Sequence, residues 1–355
     1  MVSTKKVLKS IGIILLALIL CVVILFGWLS FTEFNPAEVE EVTVQTNDNA
    51  KALQIGNTIS VLSWNVGYAG LGKDSEFFMD GGSDVKSADK ETVDSYLEGI
   101  RSTAFEGDAF ANIYLFQEVD KDSSRTYHVN ETEALAGASN TYALNYSCGF
   151  VPYPVPPIGK VNSGLLTASD FSIEKANRIA LPCPFKWPVR IANLKRCLLA
   201  NYIPIEGTDK YLVVVDLHLE AYDDGNGKIA QTNQLKEFIQ SEYEKGNYVI
   251  AGGDFNQEFP GALDQYPNTH PDLWSPGVLD ESMIPEGWTY AYDLNTPSCR
   301  LLNQPYNPED TENTQYYVID GFIVSPNLTV NGVRTIPVDF ANSDHNPVRV
   351  SITIQ

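Results

Sequence analysis

The sequence predicts an α/β fold of mixed β-sheets, preceded by one transmembrane helix. Three observations carry this reading. Short β-branched, apolar runs bounded by Gly, Pro, Asn and Asp recur along the chain and read as buried strands. Apolar residues at helical spacing fall between some of these runs but not between all of them. Strands and helices therefore do not alternate strictly, which argues for an α/β sandwich with mixed sheets over a barrel of regular βα units. The third observation is Ile11 to Phe31, IGIILLALILCVVILFGWLSF, 21 residues without a charge.

That run is long enough to cross a hydrocarbon core of ~30 Å at ~1.5 Å per residue. Lys5, Lys6 and Lys9 precede it and Glu33 follows it. The positive-inside tendency places residues 1–10 in the cytoplasm, 11–31 across the membrane, and everything later outside. The expected location is the cell membrane, single-pass, with an extracytoplasmic catalytic domain. A cleaved signal peptide is the alternative. Against it, the apolar run exceeds the usual core of ~7–15 residues, and no small-x-small site follows promptly. A lipoprotein signal would need a small residue before Cys21, and Leu20 stands there. Residues 32–57 are polar and acidic and read as a stalk, in which Val42 and Val44 could begin an edge strand.

The remaining 58–355 fits one large domain, and 44% hydrophobic residues supply its core. Beyond residue 31 the chain carries 21 basic and 45 acidic side chains, a net charge of −24. Such a surface repels nucleic acid and anionic lipid at long range, although a divalent cation can reverse the field inside one cleft. Cys148, Cys183, Cys197 and Cys299 show no CxxC spacing, so zinc binding is disfavoured. They permit up to two disulfides in three pairings, or four buried free thiols.

Strands are expected at Thr58–Trp64, Asn112–Phe116, Gly164–Ala168, Cys197–Ile203, Tyr211–Leu217, Tyr248–Ala251, Tyr317–Val324, Leu328–Ile336 and Val348–Ile354. Val93, Tyr96, Leu97 and Ile100 predict one helix, and Ile229, Leu235, Phe238 and Ile239 another that ends near Gly246. Glu131 to Ala138 reads as a short helix. The proline-rich, polar stretch Gln257–Gln315 reads as an irregular excursion.

Polar signatures sit on these runs. Trp64-Asn65 ends the first strand and Gln117-Glu118 the second. His218 follows Val213–Leu217, and Gly253-Asp254-Phe255-Asn256 follows Val249–Ala251. Asp320 lies inside Val318–Val324, and Ser343-Asp344-His345 precedes the last strand. Singly, each is a loop cap or a structural histidine. Only four histidines exist in the chain, and two fall in these signatures.

The six together, in this order, resemble the endonuclease/exonuclease/phosphatase superfamily, the deoxyribonuclease I-like fold, over about residues 58 to 355. The resemblance implies a four-layered α/β sandwich with two mixed sheets face to face, helices outside, and the site where strand ends meet. It implies water attack on phosphorus without a covalent enzyme intermediate, and a divalent Mg²⁺ or Mn²⁺. Hard cations of this kind prefer oxygen ligands. Glu118 resembles the principal metal ligand, with Asn65 and Asp344 as its neighbours. Asp254 resembles the residue that orients and deprotonates water, with Asn256 beside it. His345 resembles the phosphate-binding imidazole, Asp320 its carboxylate partner, and His218 a second phosphate-side histidine. The sequence departs from the nuclease members in one place. Val161–Ser169 lacks the glutamate that pairs with this second histidine, which puts a nuclease-like role for His218 in doubt and leaves Asn162 to serve the phosphate instead. Asp216 and Glu220 flank His218 at i−2 and i+2.

Pro182–Arg196, PCPFKWPVRIANLKR, places Phe185 and Trp187 among Lys186, Arg190, Lys195 and Arg196. This cluster suits a membrane interface or a stacked base. Lys195, Arg196 and Arg300 are candidate phosphate contacts. The expected substrate is a lipid or small-molecule phosphoester near the outer membrane face. An extracellular nuclease is the alternative, and a catalytically silent binding protein the third reading. Nucleic acid is not the favoured substrate, and nothing in the sequence implies a protein partner.

Overall fold

Alternation along the central strands sets the layers of the molecule. The computed structural model describes residues 4–310 and 312–355. Two seven-stranded sheets form its frame. In order, the first holds β1 (Val39–Val42), β7 (Lys175–Ala180), β8 (Cys197–Pro204), β9 (Tyr211–His218), β10 (Tyr248–Asp254), β12 (Asp320–Val324) and β11 (Thr289–Ala291). The second holds β13 (Leu328–Thr335), β14 (Val348–Ile354), β3 (Thr58–Asn65), β4 (Ile113–Asp120), β6 (Gly159–Ser169), β5 (Ser139–Val151) and β2 (Val44–Thr46). The pairs β9/β10 and β3/β4 are parallel and the other pairs are antiparallel, so both sheets are mixed.

Successive strand residues face opposite sides of a sheet. Val61, Ile113, Leu115 and Leu165 of the second sheet meet Ile203, Leu212, Val214, Ile250 and Phe322 of the first in one inner core. On the outer face of the second sheet, Leu62, Trp64, Tyr114 and Phe116 pack on Val93, Leu97 and Ile100 of α2 (Lys90–Phe105). On the outer face of the first, Val213, Val215, Val249 and Ala251 pack on Leu235 and Ile239 of the long helix Asn226–Glu244. Three apolar layers thus separate four layers of secondary structure. Asp89 caps α2, accepting from the Thr92 amide at 2.8 Å. Polar bonds also cross the inner core: Gln117 Nε2 donates to Asp216 Oδ1 at 2.7 Å, and Asn201 Nδ2 to Thr167 Oγ1 at 3.0 Å.

The expected elements differ from the observed ones in a few places. Strand β5 has no counterpart among the expected strands. Its sequence, SNTYALNYSCGFV, alternates buried and half-exposed residues and offers no apolar run. Strand β7 was not expected either, for the same reason. The short helix ends at Ala134 rather than Ala138. Segment 32–57 is not a free stalk. Within it β1 pairs with β7, and β2 with β5, so one short segment adds an edge strand to each sheet. The edge strand expected at Val42 and Val44 is present, divided into two short strands on different sheets.

The helix Thr4–Phe31 (α1) is long and apolar enough to span a membrane, and Lys5–Ile24 are exposed along all of it. Its last two turns pack on the domain. The five cysteines are free thiols, with Cys148, Cys197 and Cys299 buried.

Candidate active site

Bulges and glycines aim the polar residues at one place. In β4 the register shifts between Phe116 and Val119, and Glu118 adopts a left-handed φ of 57°. Such a bulge re-aims a side chain out of the regular alternation, and a non-glycine in this region stores strain that other contacts must hold. In β10, a Cβ on Gly253 would lie 1.9 Å from the Leu217 carbonyl oxygen, so the Gly-Asp sequence lets β9 and β10 approach closely enough to set Asp254 against His218. Asn256 follows at φ 50° and returns its Nδ2 to the Leu219 carbonyl at 2.9 Å.

Asn65 is the hub. Its Nδ2 donates at 3.1 Å both to Glu118 Oε1 and to Asp254 Oδ2, while its Oδ1 accepts from the Gly67 amide at 3.0 Å. His345 Nδ1 lies 2.8 Å from Asp320 Oδ2, which also accepts from Ser298 Oγ at 2.7 Å. His345 Nε2 stands 3.8 Å from both Asp254 Oδ2 and Asp344 Oδ2. His218 Nε2 is 3.4 Å from Asp254 Oδ2. Ser343 Oγ donates to the Asn65 carbonyl and Trp64 Nε1 to the His345 carbonyl, tying the last loop to the end of β3. Asn65, Glu118, His218, Asp254, Asn256, Asp320, Asp344 and His345 therefore converge.

Burial and charge set their protonation. Burial opposes charge on His345, but the Asp320 carboxylate beside it, with Asp344, raises its pKa well above the ordinary value. His218 has Asp254 Oδ2 beside its Nε2 at 3.4 Å but no carboxylate on its Nδ1. Burial, then the Arg196 and His345 charges, lower its pKa well below the ordinary value, and its Nδ1 is buried without a hydrogen bond. Burial and the Asp320 charge push Asp254 up, against the opposing His345. Asp344 is raised to about 6 by burial and by the Glu118 charge.

Several expected roles meet a different geometry. Arg196 is buried, with Nε on Glu220 Oε2 at 3.3 Å and Nη1 on the His218 carbonyl at 3.2 Å. It braces the His218 strand. Lys195 reaches the Arg190 carbonyl and Glu33 Oε1 at 3.2 Å, toward α1. Arg300 is buried and spends its guanidinium on the carbonyls of Gly72, Ser75, Leu301 and Gln304, holding the Gly67–Asp89 loop. Each of these cations is consumed by internal acceptors, an outcome that spacing along the chain does not encode. Asn162 Oδ1 accepts from Ser147 Oγ at 2.8 Å across β5/β6, and its side chain makes no hydrogen bond to the cluster. Neither flanking acid pairs with His218: Asp216 bonds Gln117 and Glu220 bonds Arg196.

Sequence reasoning missed four residues. Ser298 fixes Asp320. Asp80, in the Gly67–Asp89 loop, accepts from Tyr222 Oη at 3.1 Å and is raised to about 7 by burial and the Asp344 charge. Tyr68 feels the charges of Glu118 and Asp344, and its ring lies 3.5 Å below the Arg125 guanidinium, itself paired with Asp120. All four stand in loops, and tertiary folding alone brings them in.

Among the described residues two tight groups of ligand atoms occur, Cys299 with Asp344 and His345, and Asp254 with Asp320 and His345. In the first, burial holds the Cys299 thiol protonated, and a thiol suits a hard cation poorly. In the second, Asp320 is already engaged by His345 and Ser298. The oxygen donors Glu118, Asp344 and Asn65 suit a hard divalent ion better. Glu118 and Asp344 bear on each other and on Asp80, an acidic field that such an ion would relieve.

Two mixed sheets face to face, helices on both outer surfaces and a polar cluster where strand ends meet define the fold of the endonuclease/exonuclease/phosphatase proteins. Solved structures of proteins so described share it at low sequence identity. One from Beutenbergia cavernae matches with a TM-score of 0.54 at 16% identity, covering 84% of this chain and 72% of that one. One from Bacteroides thetaiotaomicron matches at 0.52 and 16%, covering 84% and 99%. One from Leptotrichia buccalis matches at 0.51 and 15%, covering 83% and 100%. No protein-family model and no curated protein matches the sequence.

Proposed function

We propose that the protein is a divalent-metal-dependent phosphoesterase, anchored by α1 in the cell membrane with its catalytic domain outside. Its proposed reaction is in-line attack of water on a phosphodiester or phosphomonoester, carried by a lipid or small molecule near the outer membrane face. The observation that carries this reading is the Asn65 amide shared between Glu118 and Asp254. It sets a metal-binding carboxylate and a water-binding carboxylate side by side, as hydrolysis of a phosphoester requires.

Glu118, with Asn65 and Asp344, would hold Mg²⁺ or Mn²⁺. Such an ion supplies neutralisation of the charge that builds on the phosphate oxygens. Asp254, raised toward neutrality, orients the water and accepts its proton. Its carboxylate is aimed by Asn65 and by the Asn256 amide at 2.8 Å. His345, kept cationic by Asp320, donates from Nε2 to a phosphate oxygen as charge develops there. Neutral His218, whose Nε2 also lies beside Asp254 Oδ2, is a further donor to the phosphate.

The test is a metal-supplemented screen of the purified chain against phospholipids, inositol phosphates, nucleotides and plasmid DNA. Hydrolysis that needs Mg²⁺ or Mn²⁺ and vanishes in Glu118→Ala and His345→Ala is the expected result. Failure to cleave any phosphoester overturns the enzymatic reading. DNA cleavage surpassing every lipid and small-molecule rate overturns the substrate class.

A further inference from the structure

The end of α1 is fastened to the domain. Leu29 is buried, and Leu25 and Phe26 are half-buried, against Tyr146, Cys148, Val151, Val161 and Ile191. A Cβ on Gly149 would lie 2.9 Å from the Trp28 ring. Trp187 Nε1 donates to Ser30 Oγ at 3.1 Å, and Arg190 grips both Glu33 oxygens at 2.9 and 3.1 Å.

Length then decides the depth of the domain. The uncovered apolar stretch, Ile11 to Ile24, spans only about 21 Å at ~1.5 Å per residue. A hydrocarbon core is ~30 Å thick. The whole stretch to Phe31 reaches about 31 Å. The last turns, Leu25 to Phe31, which touch the domain through Leu25, Phe26 and Leu29 and leave Trp28 and Phe31 exposed, must lie in the bilayer for the helix to fill it, and whatever packs on them lies at the same depth.

Strand direction says which end of the domain this is. Strands β3, β4, β9 and β10 all run toward the catalytic cluster, and β6 and β8 leave from that same end, because Ser163 pairs with Asp120 and Leu198 with Leu217. The β5–β6 tip and the loop before β8 therefore flank the site. They carry Tyr153, Val155, Trp187 and Val189, respectively 70, 90, 61 and 57% exposed. Tyr153 also touches Phe78 in the Gly67–Asp89 loop, ring centres 6.1 Å apart. Aromatic and aliphatic side chains beside an emerging span belong to the headgroup and upper acyl zone.

We infer that the catalytic domain sits directly on the bilayer with its active-site end down, and that the β5–β6 tip and the Phe185–Val189 loop are immersed in the outer leaflet. The inference rests on the reading of α1 as a membrane span. It makes the bilayer itself the source of substrate, since the Gly67–Asp89 loop is the near wall of the site.

The full chain, reconstituted in phosphatidylcholine vesicles, tests this. With Cys183→Ser in place, Cys21 carries a polarity-sensitive fluorophore in one preparation. In two others, Cys21→Ala is added and the label sits at Val155→Cys or at Asp209→Cys, in the β8–β9 turn at the opposite end of the sheets. Lipids bearing a quencher deep in the acyl chains should quench position 21. Shallow quenchers should quench position 155 and shift its emission to the blue, leaving position 209 unchanged. Quenching at 21 with a water-like, unquenched signal at 155 overturns the inference and leaves the span intact. Quenching at 155 and 209 alike shows adsorption without orientation and also overturns it. No quenching at 21 overturns the span and the inference with it.

Discussion

Asp320 Oδ2 meets His345 Nδ1 at 2.8 Å and leaves the Nε2 edge of the ring facing Asp254 and Asp344. The carboxylate fixes the tautomer and holds the proton on the ring, so the histidine works through its far nitrogen. Asp320→Asn keeps the shape and removes the charge. It is expected to lower kcat by about 10²–10⁴, the usual worth of a positioned acid. The concentration of Mg²⁺ giving half-maximal rate should stay close to that of the wild type, which separates this defect from loss of the metal.

Metal binding gives a readout independent of turnover. A ligand that binds only the folded state stabilises it, by roughly 2.7 kcal/mol at a hundredfold excess over its dissociation constant. Mg²⁺ or Mn²⁺ should raise the Tm of the wild type in a scanning-calorimetry titration. In Glu118→Ala the same titration is expected to be flat.

Arg300 is read as a clamp on the Gly67–Asp89 loop. Arg300→Met retains bulk and leaves the Gly72 and Ser75 carbonyls without their charged donor. Hydrogen bonds of this kind are worth about 1.5–3 kcal/mol. Limited proteolysis should cut the variant first within residues 67–89, while the wild type resists there. A role in phosphate binding alone would leave the cleavage pattern unchanged.

Glu258 is buried, accepts from the Val318 amide at 3.0 Å, and is raised by burial from 4.5 to about 7. The folded protein thus holds this proton more tightly than the unfolded chain does. The stability it contributes is present below about pH 4.5 and lost as pH rises to about 7. The loss is at most roughly 3 kcal/mol. Denaturant titrations from pH 5 to 8 should show Glu258→Gln less pH-dependent than the wild type, and more stable than it at pH 8.

The central strands were legible because each is a β-branched run that stops at a polar residue. Asn65, Glu118, His218 and Asp254 stand out against such runs, and in the structure their side chains lie in one cluster. Strand β5 was hidden because its alternate residues are polar. The functions of Lys195, Arg196 and Arg300 were hidden because a basic side chain in sequence gives no sign of the internal acceptor that will consume it. Glu33, Glu220 and four loop carbonyls are those acceptors. Ser298, Asp80, Tyr68 and Tyr222 act from loops, where no period marks them.

The placement of Val39–Thr46 on both sheets bears on any attempt to release the catalytic domain in soluble form. Starting the chain at Thr58, where the first central strand begins, would strip the edge partner from β7 and from β5 at once. Two bare rows of amides and carbonyls would then face solvent on neighbouring rims, and open edges of this kind recruit other chains. A fragment cut after the Glu33 contact and before Val39 keeps both rims closed. The shorter fragment is expected to self-associate, whatever the integrity of its catalytic cluster.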